Sequence, residues 1–155
     1  MKLILLRHTK SDWTDPEQED HDRPLNNRGR AAAATMGQWL ISRKYLPDLV
    51  LCSDSARTRE TYQALALPDT AVEYRPDLYL AEAEAILALA RAQTAECVLI
   101  VAHNPGIAAA ARQAVATLPI HPEFSHFPTG ACLVADIIDD RPGRLLDFTV
   151  PRDLQ

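Results

Sequence analysis

Short runs of consecutive apolar residues alternate along this chain with longer segments in which apolar positions recur every three or four residues. Continuous runs bounded by turn signals read as strands buried on both faces, and the three-to-four spacing reads as helix. The first run gives a strand over Lys2–Leu6, followed by a polar, proline-containing loop to Pro24. The segment 25–46 then places Ala32, Met36, Trp39 and Leu40 at helical spacing, with Asn26 or Asn27 as N-cap. A strand over 48–53 leads into a helix over 55–67 that stops at Pro68 and has Ser53 or Ser55 available as cap. No regular pattern covers residues 74–80, after which the alanine, leucine and glutamate content of 81–93 selects a helix. The run 97–103 is the strongest buried strand. Its successor, 104–118, starts with Asn104 as cap and Pro105 at the first helical position. Runs at 131–139 and 144–150 predict a closing strand pair around the turn 140–143. The alternation as a whole predicts an α/β domain with a largely parallel sheet.

Length and charge narrow this picture. A chain of 155 residues with 47% hydrophobic content can bury a core as one domain. A net charge of −5 argues against a nucleic-acid groove or an anionic membrane surface as the main partner, while leaving room for a local basic pocket. Cys52, Cys97 and Cys132 have no metal-ligand spacing and are odd in number, so they read as small buried hydrophobes. The first apolar run ends at Arg7, too short for a membrane span or a secretory leader, and the expected location is the cytoplasm.

The polar residues that matter lie at predicted strand ends. Arg7 and His8 follow the first strand, Ser53 and Arg57 follow the second, and His103 follows 97–102. In an open α/β sheet the ligand crevice lies beyond the carboxyl ends of the strands, so these groups can converge although far apart in sequence. Two arginines and two histidines in one crevice describe an anion site, and the helices starting near Asn104 and Ser55 aim their N-terminal dipoles at it. A phosphoryl group fits best.

Four segments carry a family resemblance. "LLRHTKSDW" resembles the Arg-His-Gly signature of the histidine phosphatase superfamily with Thr9 in the glycine position, a variation found in its SixA-like phosphohistidine phosphatases. "DHDRPLNNRGRAAA" resembles their Asp-x-x-Arg-Pro-Leu segment, "CSDSARTRET" the second-arginine motif and "VAHNPG" the second-histidine motif. The resemblance implies a single three-layer α/β/α domain over residues 1–155 of phosphoglycerate mutase-like fold, and a metal-independent, cofactor-free phosphatase. His8 would be the nucleophile, Arg7 and Arg57 would grip the phosphoryl oxygens, and protonated His103 would add a further donor. The implied substrate is phosphohistidine on a protein such as a histidine-containing phosphotransfer domain; the alternative partner is a small phosphorylated molecule. No insertion of the kind that encloses a mutase intermediate is present, so an open site suited to hydrolysis is expected.

A general acid is harder to find. Glu82 is the candidate, but Glu82 and Glu84 equally read as favourable charge in a first helical turn, and Asp12, Asp22 and Asp54 are undecided. A protonated imidazole leaves phosphorus far more readily than an alkoxide, so phosphohistidine relaxes the need for an acid. Arg23 either fixes the loop over the site or pairs with Asp20 or Asp22, and Asn104, mainly a cap, joins it among the substrate-binding candidates. Arg59 reads as an ion-pairing helix residue. His21, His121 and His126 read as surface residues, with the 119–130 segment a possible rim to the pocket. Two rival functions stand beside the leading one: a small-molecule phosphomonoesterase on the same fold, and a phosphate-binding module without turnover.

Overall fold

The computed structural model describes residues 1–155. Six strands, β1 (Lys2–Arg7), β2 (Leu49–Ser53), β3 (Ala71–Arg75), β4 (Cys97–Ala102), β5 (Cys132–Asp136) and β6 (Arg144–Thr149), form one sheet in the order β3-β2-β4-β1-β5-β6. The first four in that order run parallel, β5 runs antiparallel to β1, and β6 antiparallel to β5. The helices are α1 (Asn27–Ser42), α2 (Ala56–Leu65), α3 (Ala83–Arg91) and α4 (Gly106–Ala114). No helix is long and apolar enough to cross a membrane.

The apolar runs are continuous because both faces of the sheet are covered. Leu3 and Leu5 of β1 face a core shared with α3 and α4, whereas Ile4 and Leu6 face a second core shared with α1 and α2. All four are fully buried, each worth roughly 1.5–3 kcal/mol over exposure. The helices supply matching stripes: Ala33, Met36, Gly37 and Leu40 on α1, and Ile107, Ala110, Ala111 and Ala114 on α4. On α1, a methyl group at Gly37 would sit 1.8 Å from the Leu65 carbonyl oxygen at the end of α2. Backbone cannot yield there as a side-chain tip can. Gly37→Ala is therefore expected to cost at least ~1–3 kcal/mol, seen as a lowered urea midpoint at constant m; an unchanged midpoint would contradict this packing.

Three local features differ from the sequence expectation. β3 is an edge strand in the stretch before Pro76, with Val72 and Tyr74 packed against the second core and Ala71 and Glu73 outward. Five residues, none of them buried, give too short an alternation to stand out from a loop. α4 stops at Ala114 rather than Leu118, because the flanking backbone bonds Gly143 in the β5–β6 connection: Gly143 N–H donates to Ala114 O at 2.6 Å and Ala116 N–H to Gly143 O at 2.8 Å. The α4 cap is not Asn104; the preceding residue is Pro105, and the Asn104 side-chain amide instead donates to the carbonyls of His126 and Phe127 at 3.3 and 3.0 Å. For α2 the cap is Ser55, which accepts from Thr58 N–H, while Asn26 caps α1 by accepting from Gly29 N–H at 2.8 Å.

Candidate active site

Strand order brings the polar groups together. β2, β4 and β1 are adjacent, with Cys52 opposite Val101 and Ala102 opposite Arg7, so Ser53, His103 and His8 emerge side by side at one end of the sheet. They open onto a pocket of about 280 Å³ whose lining includes Arg7, His8, Asp20, Arg57, His103 and Asn104. The His8 and His103 rings lie 5.4 Å apart between centroids.

His8 Nδ1 lies 2.7 Å from the Thr9 carbonyl oxygen. A carbonyl only accepts, so this contact puts the proton on Nδ1 and the lone pair on Nε2. Thr9 itself is clamped: its N–H donates to Thr61 Oγ1 at 3.1 Å, the two hydroxyls are 3.3 Å apart, and Thr61 Oγ1 donates to Arg57 O at 2.7 Å. Threonine in the glycine position of the signature thus ties the histidine turn to the helix that carries Arg57. On the opposite wall, His103 Nε2 lies 2.8 Å from Ser53 Oγ, and its Nδ1 is buried without a protein partner. Ser53 holds this histidine and does not cap α2.

The two arginines are held differently. Arg7 donates from Nη1 to Phe127 O at 3.1 Å, and its buried Nε has no protein partner. Arg57 spends both terminal nitrogens on Asp20, Nη1 to the backbone oxygen at 2.7 Å and Nη2 to Oδ2 at 3.0 Å. Tyr79 also donates its hydroxyl to Asp20 Oδ2, and packs edge-on against the His103 ring. A carboxylate therefore lines the pocket beside Arg57, and its charge opposes an anionic ligand there. Asp20→Asn removes that charge and keeps an acceptor, and is expected to tighten orthovanadate binding several-fold; weaker binding in a calorimetric titration would show that Asp20 instead aims Arg57.

Burial and positive neighbours keep the histidines neutral. Desolvation, with Arg57 and Arg7 adding repulsion, lowers the His8 pKa to about 4, against the bond to Thr9 O. Desolvation, then His8 and Arg57, lowers His103 to about 3. Burial therefore favours the neutral imidazole at His103, where the sequence reading expects a protonated ring. The Tyr79 bond and Arg57 hold the Asp20 carboxyl below its ordinary value, hence ionised. A nucleophile needing neutral His8 is then fully available above pH 5, and kcat/KM is expected to fall on the acid side near pH 4. An acid limb near 6.5, the ordinary histidine value, would contradict this environment.

Of the other sequence candidates, Glu82 is exposed just before α3 and does not line the pocket. Arg23 lies behind the loop wall: its guanidinium stacks on Trp13 at 3.7 Å, donates to Asp12 O at 3.3 Å and stands 3.9 Å from Asp20 Oδ1. Arg59 stacks on Tyr74, outside the lining. His21 is half-buried and not a plain surface residue; its Nε2 meets Asp54 Oδ1 at 2.8 Å, anchoring the turn that carries Asp20. The sequence reading names neither Tyr79 nor the Thr9 carbonyl, and offers Ser53 as a cap and Asp20 as a partner of Arg23; the Asp-x-x-Arg segment is the signal that carries Asp20. No group of three or more His, Cys, Asp or Glu stands close enough to hold a metal ion.

Known proteins share this fold and part of this sequence. The family model of the histidine phosphatase superfamily (branch 1) matches residues 3–83. SixA from Agrobacterium tumefaciens is 34% identical with a TM-score of 0.82, covering 97% of this chain and 98% of that one. SixA from Nakamurella multipartitia is 32% identical with a TM-score of 0.85, covering 97% and 95%. An uncharacterised chloroplast protein of Arabidopsis thaliana is 52% identical over 64 residues, 41% of this chain and 29% of that protein. The fold is that of SixA, phosphoglycerate mutase-like.

Proposed function

Because the chain belongs to the histidine phosphatase superfamily (branch 1), we propose that residues 1–155 form one histidine phosphatase domain that hydrolyses phosphohistidine on a protein, without a metal, through a phosphohistidine intermediate at His8. The observation that carries this reading is the His8 Nδ1 contact with Thr9 O at 2.7 Å, which leaves the Nε2 lone pair for a pocket lined by Arg7, Arg57 and His103. Both SixA relatives are described as putative phosphohistidine phosphatases. Three free cysteines, two of them buried, suit the reducing cytoplasm.

In the first step the Nε2 lone pair attacks phosphorus and the P–N bond to the substrate ring breaks. The ring leaves with the proton it already carries on its other nitrogen, as neutral imidazole. Arg7, Arg57 and the Nδ1–H of His103 donate to the equatorial oxygens, where charge spreads in the transition state. In the second step water attacks, the P–Nε2 bond breaks, the lone pair returns to His8, and both hydrogens of the water leave with phosphate as dihydrogen phosphate. Neither step needs a general acid for the leaving group. That agrees with Glu82 outside the pocket and with Asp20 ionised and engaged by Arg57 and Tyr79.

The small-molecule monoesterase is the rival reading, since the same machinery with an acid would cleave esters. A side-by-side assay of a phosphohistidine peptide and an aryl phosphate, without added metal, separates the two. Faster clearance of the phosphohistidine is expected, and a clear preference for the ester would replace this reading with its rival.

A further inference from the structure

Two large apolar side chains stand in solvent at the mouth of the pocket. Trp13 is 71% exposed and Leu80 55% exposed, and both line the same pocket as His8. Leu80 is also in the left-handed backbone region, φ +54°, which a leucine occupies at a cost and a glycine does not. Trp13 is fixed by the Arg23 guanidinium stacked on its ring at 3.7 Å. A solvated, strained leucine and a pinned, solvated tryptophan do nothing for the core. Inorganic phosphate or a small ester gains little from them either, whereas rigid exposed aromatics are the usual anchors of protein interfaces.

On another side the pocket continues into a groove of about 540 Å³ through the shared residues Arg7, Lys10 and Thr129. This groove adds Arg28, His126 and Arg152. Its one acidic side chain, Glu123, lies 3.8 Å from Arg152. No carboxylate comes within ion-pair distance of Lys10 or Arg28. The backbone brings these two together: a methyl group at Gly29 would sit 2.1 Å from Lys10 O, so only glycine lets α1 begin against the Lys10 segment. On a chain of net charge −5, this cluster of cations beside the nucleophile is a local inversion of sign.

We infer that the rim of the catalytic pocket is a docking surface for the substrate protein, with Trp13 and Leu80 taking apolar contacts and the Lys10–Arg28 groove taking acidic residues that flank the phosphorylated one. This rests on the reading that the phosphoryl group is carried by a protein. Complementary charge next to the reacting group steers the partner and fixes its register. The apolar rim argues for a protein ligand over a nucleic acid, whose backbone would use the cations alone.

The test is binding, by fluorescence anisotropy, of peptides bearing a hydrolysis-resistant phosphoryltriazole analogue of phosphohistidine between Glu/Asp flanks or between Gly/Ser flanks. Wild type is expected to bind the acidic peptide about tenfold more tightly, and Arg28→Glu to erase that preference. Leu80→Gly is expected to weaken both peptides alike while raising the thermal midpoint, an outcome that general damage to the fold does not produce. Equal binding of both peptides by wild type, an intact preference in Arg28→Glu, or undiminished binding by Leu80→Gly would each overturn the inference. So would a single-stranded oligonucleotide that binds as tightly as the acidic peptide. Hydrolysis of phosphoramidate by the same preparation tests P–N chemistry separately, so its loss would sink the phosphohistidine reading while the peptide preference still decides the docking surface.

Discussion

His8→Ala is expected to lower kcat/KM roughly ten-thousandfold or more, on phosphohistidine and ester substrates alike, while orthovanadate still binds. The size of the effect follows from the chemistry. Without Nε2 no phosphoenzyme forms, and the remaining donors can only stabilise direct attack by water. Binding survives because Arg7, Arg57 and His103 are held by groups other than the His8 ring: Phe127 O, Asp20 and Ser53 Oγ. The fold survives because the His8 N–H bond to Ala102 O, 3.1 Å, is backbone and unaffected by truncation. Steady-state assays and a vanadate titration on the same preparation check both halves. Retention of a tenth of the activity would remove His8 from the nucleophile role.

Arg57→Ala has the second largest expected effect, and it acts on binding as well as rate. Removing a charge-assisted donor costs ~1.5–3 kcal/mol of phosphate or vanadate affinity. Losing a donor aimed at charge that develops in the transition state lowers kcat about 10²–10³-fold. A further change follows from Asp20, which loses its Arg57 partner and keeps Tyr79, leaving an ionised carboxylate in the pocket with less to offset it. The double variant Arg57→Ala/Asp20→Asn is therefore expected to bind vanadate more tightly than Arg57→Ala alone. Arg59→Ala serves as control, since its guanidinium lies over Tyr74 and outside the pocket. Unchanged vanadate affinity in Arg57→Ala would reassign the grip on the oxyanion.

What the sequence made legible follows from which interactions are local. Strands buried on both faces leave unbroken apolar runs, so β1, β2, β4 and β5 stand out, and the residues that follow them mark the crevice without any knowledge of strand order. The cap at Asn26 is local as well, a side chain meeting a backbone N–H three residues on. β3 was hidden because an edge strand of five residues needs only two inward side chains, Val72 and Tyr74. The end of α4 was hidden because Gly143, far along the chain, takes its backbone bonds. The same holds for Ser53: its position at the end of β2 suits a cap, and only the pairing of β2 with β4 sets it against His103. Asp20 was legible as part of a motif and as a partner for Arg23, yet its engagement with Arg57 and Tyr79 depends on a turn folding back over the sheet end.

The most direct test of the central claim is to mix the enzyme with a phosphohistidine peptide, quench within milliseconds into alkaline denaturant, and map the phosphoryl group by mass spectrometry. An acid-labile, alkali-stable phosphoryl group on the peptide that contains His8, absent from His8→Ala, is the predicted result. Rapid turnover with no modified histidine, or with the label on any residue other than His8, would contradict it.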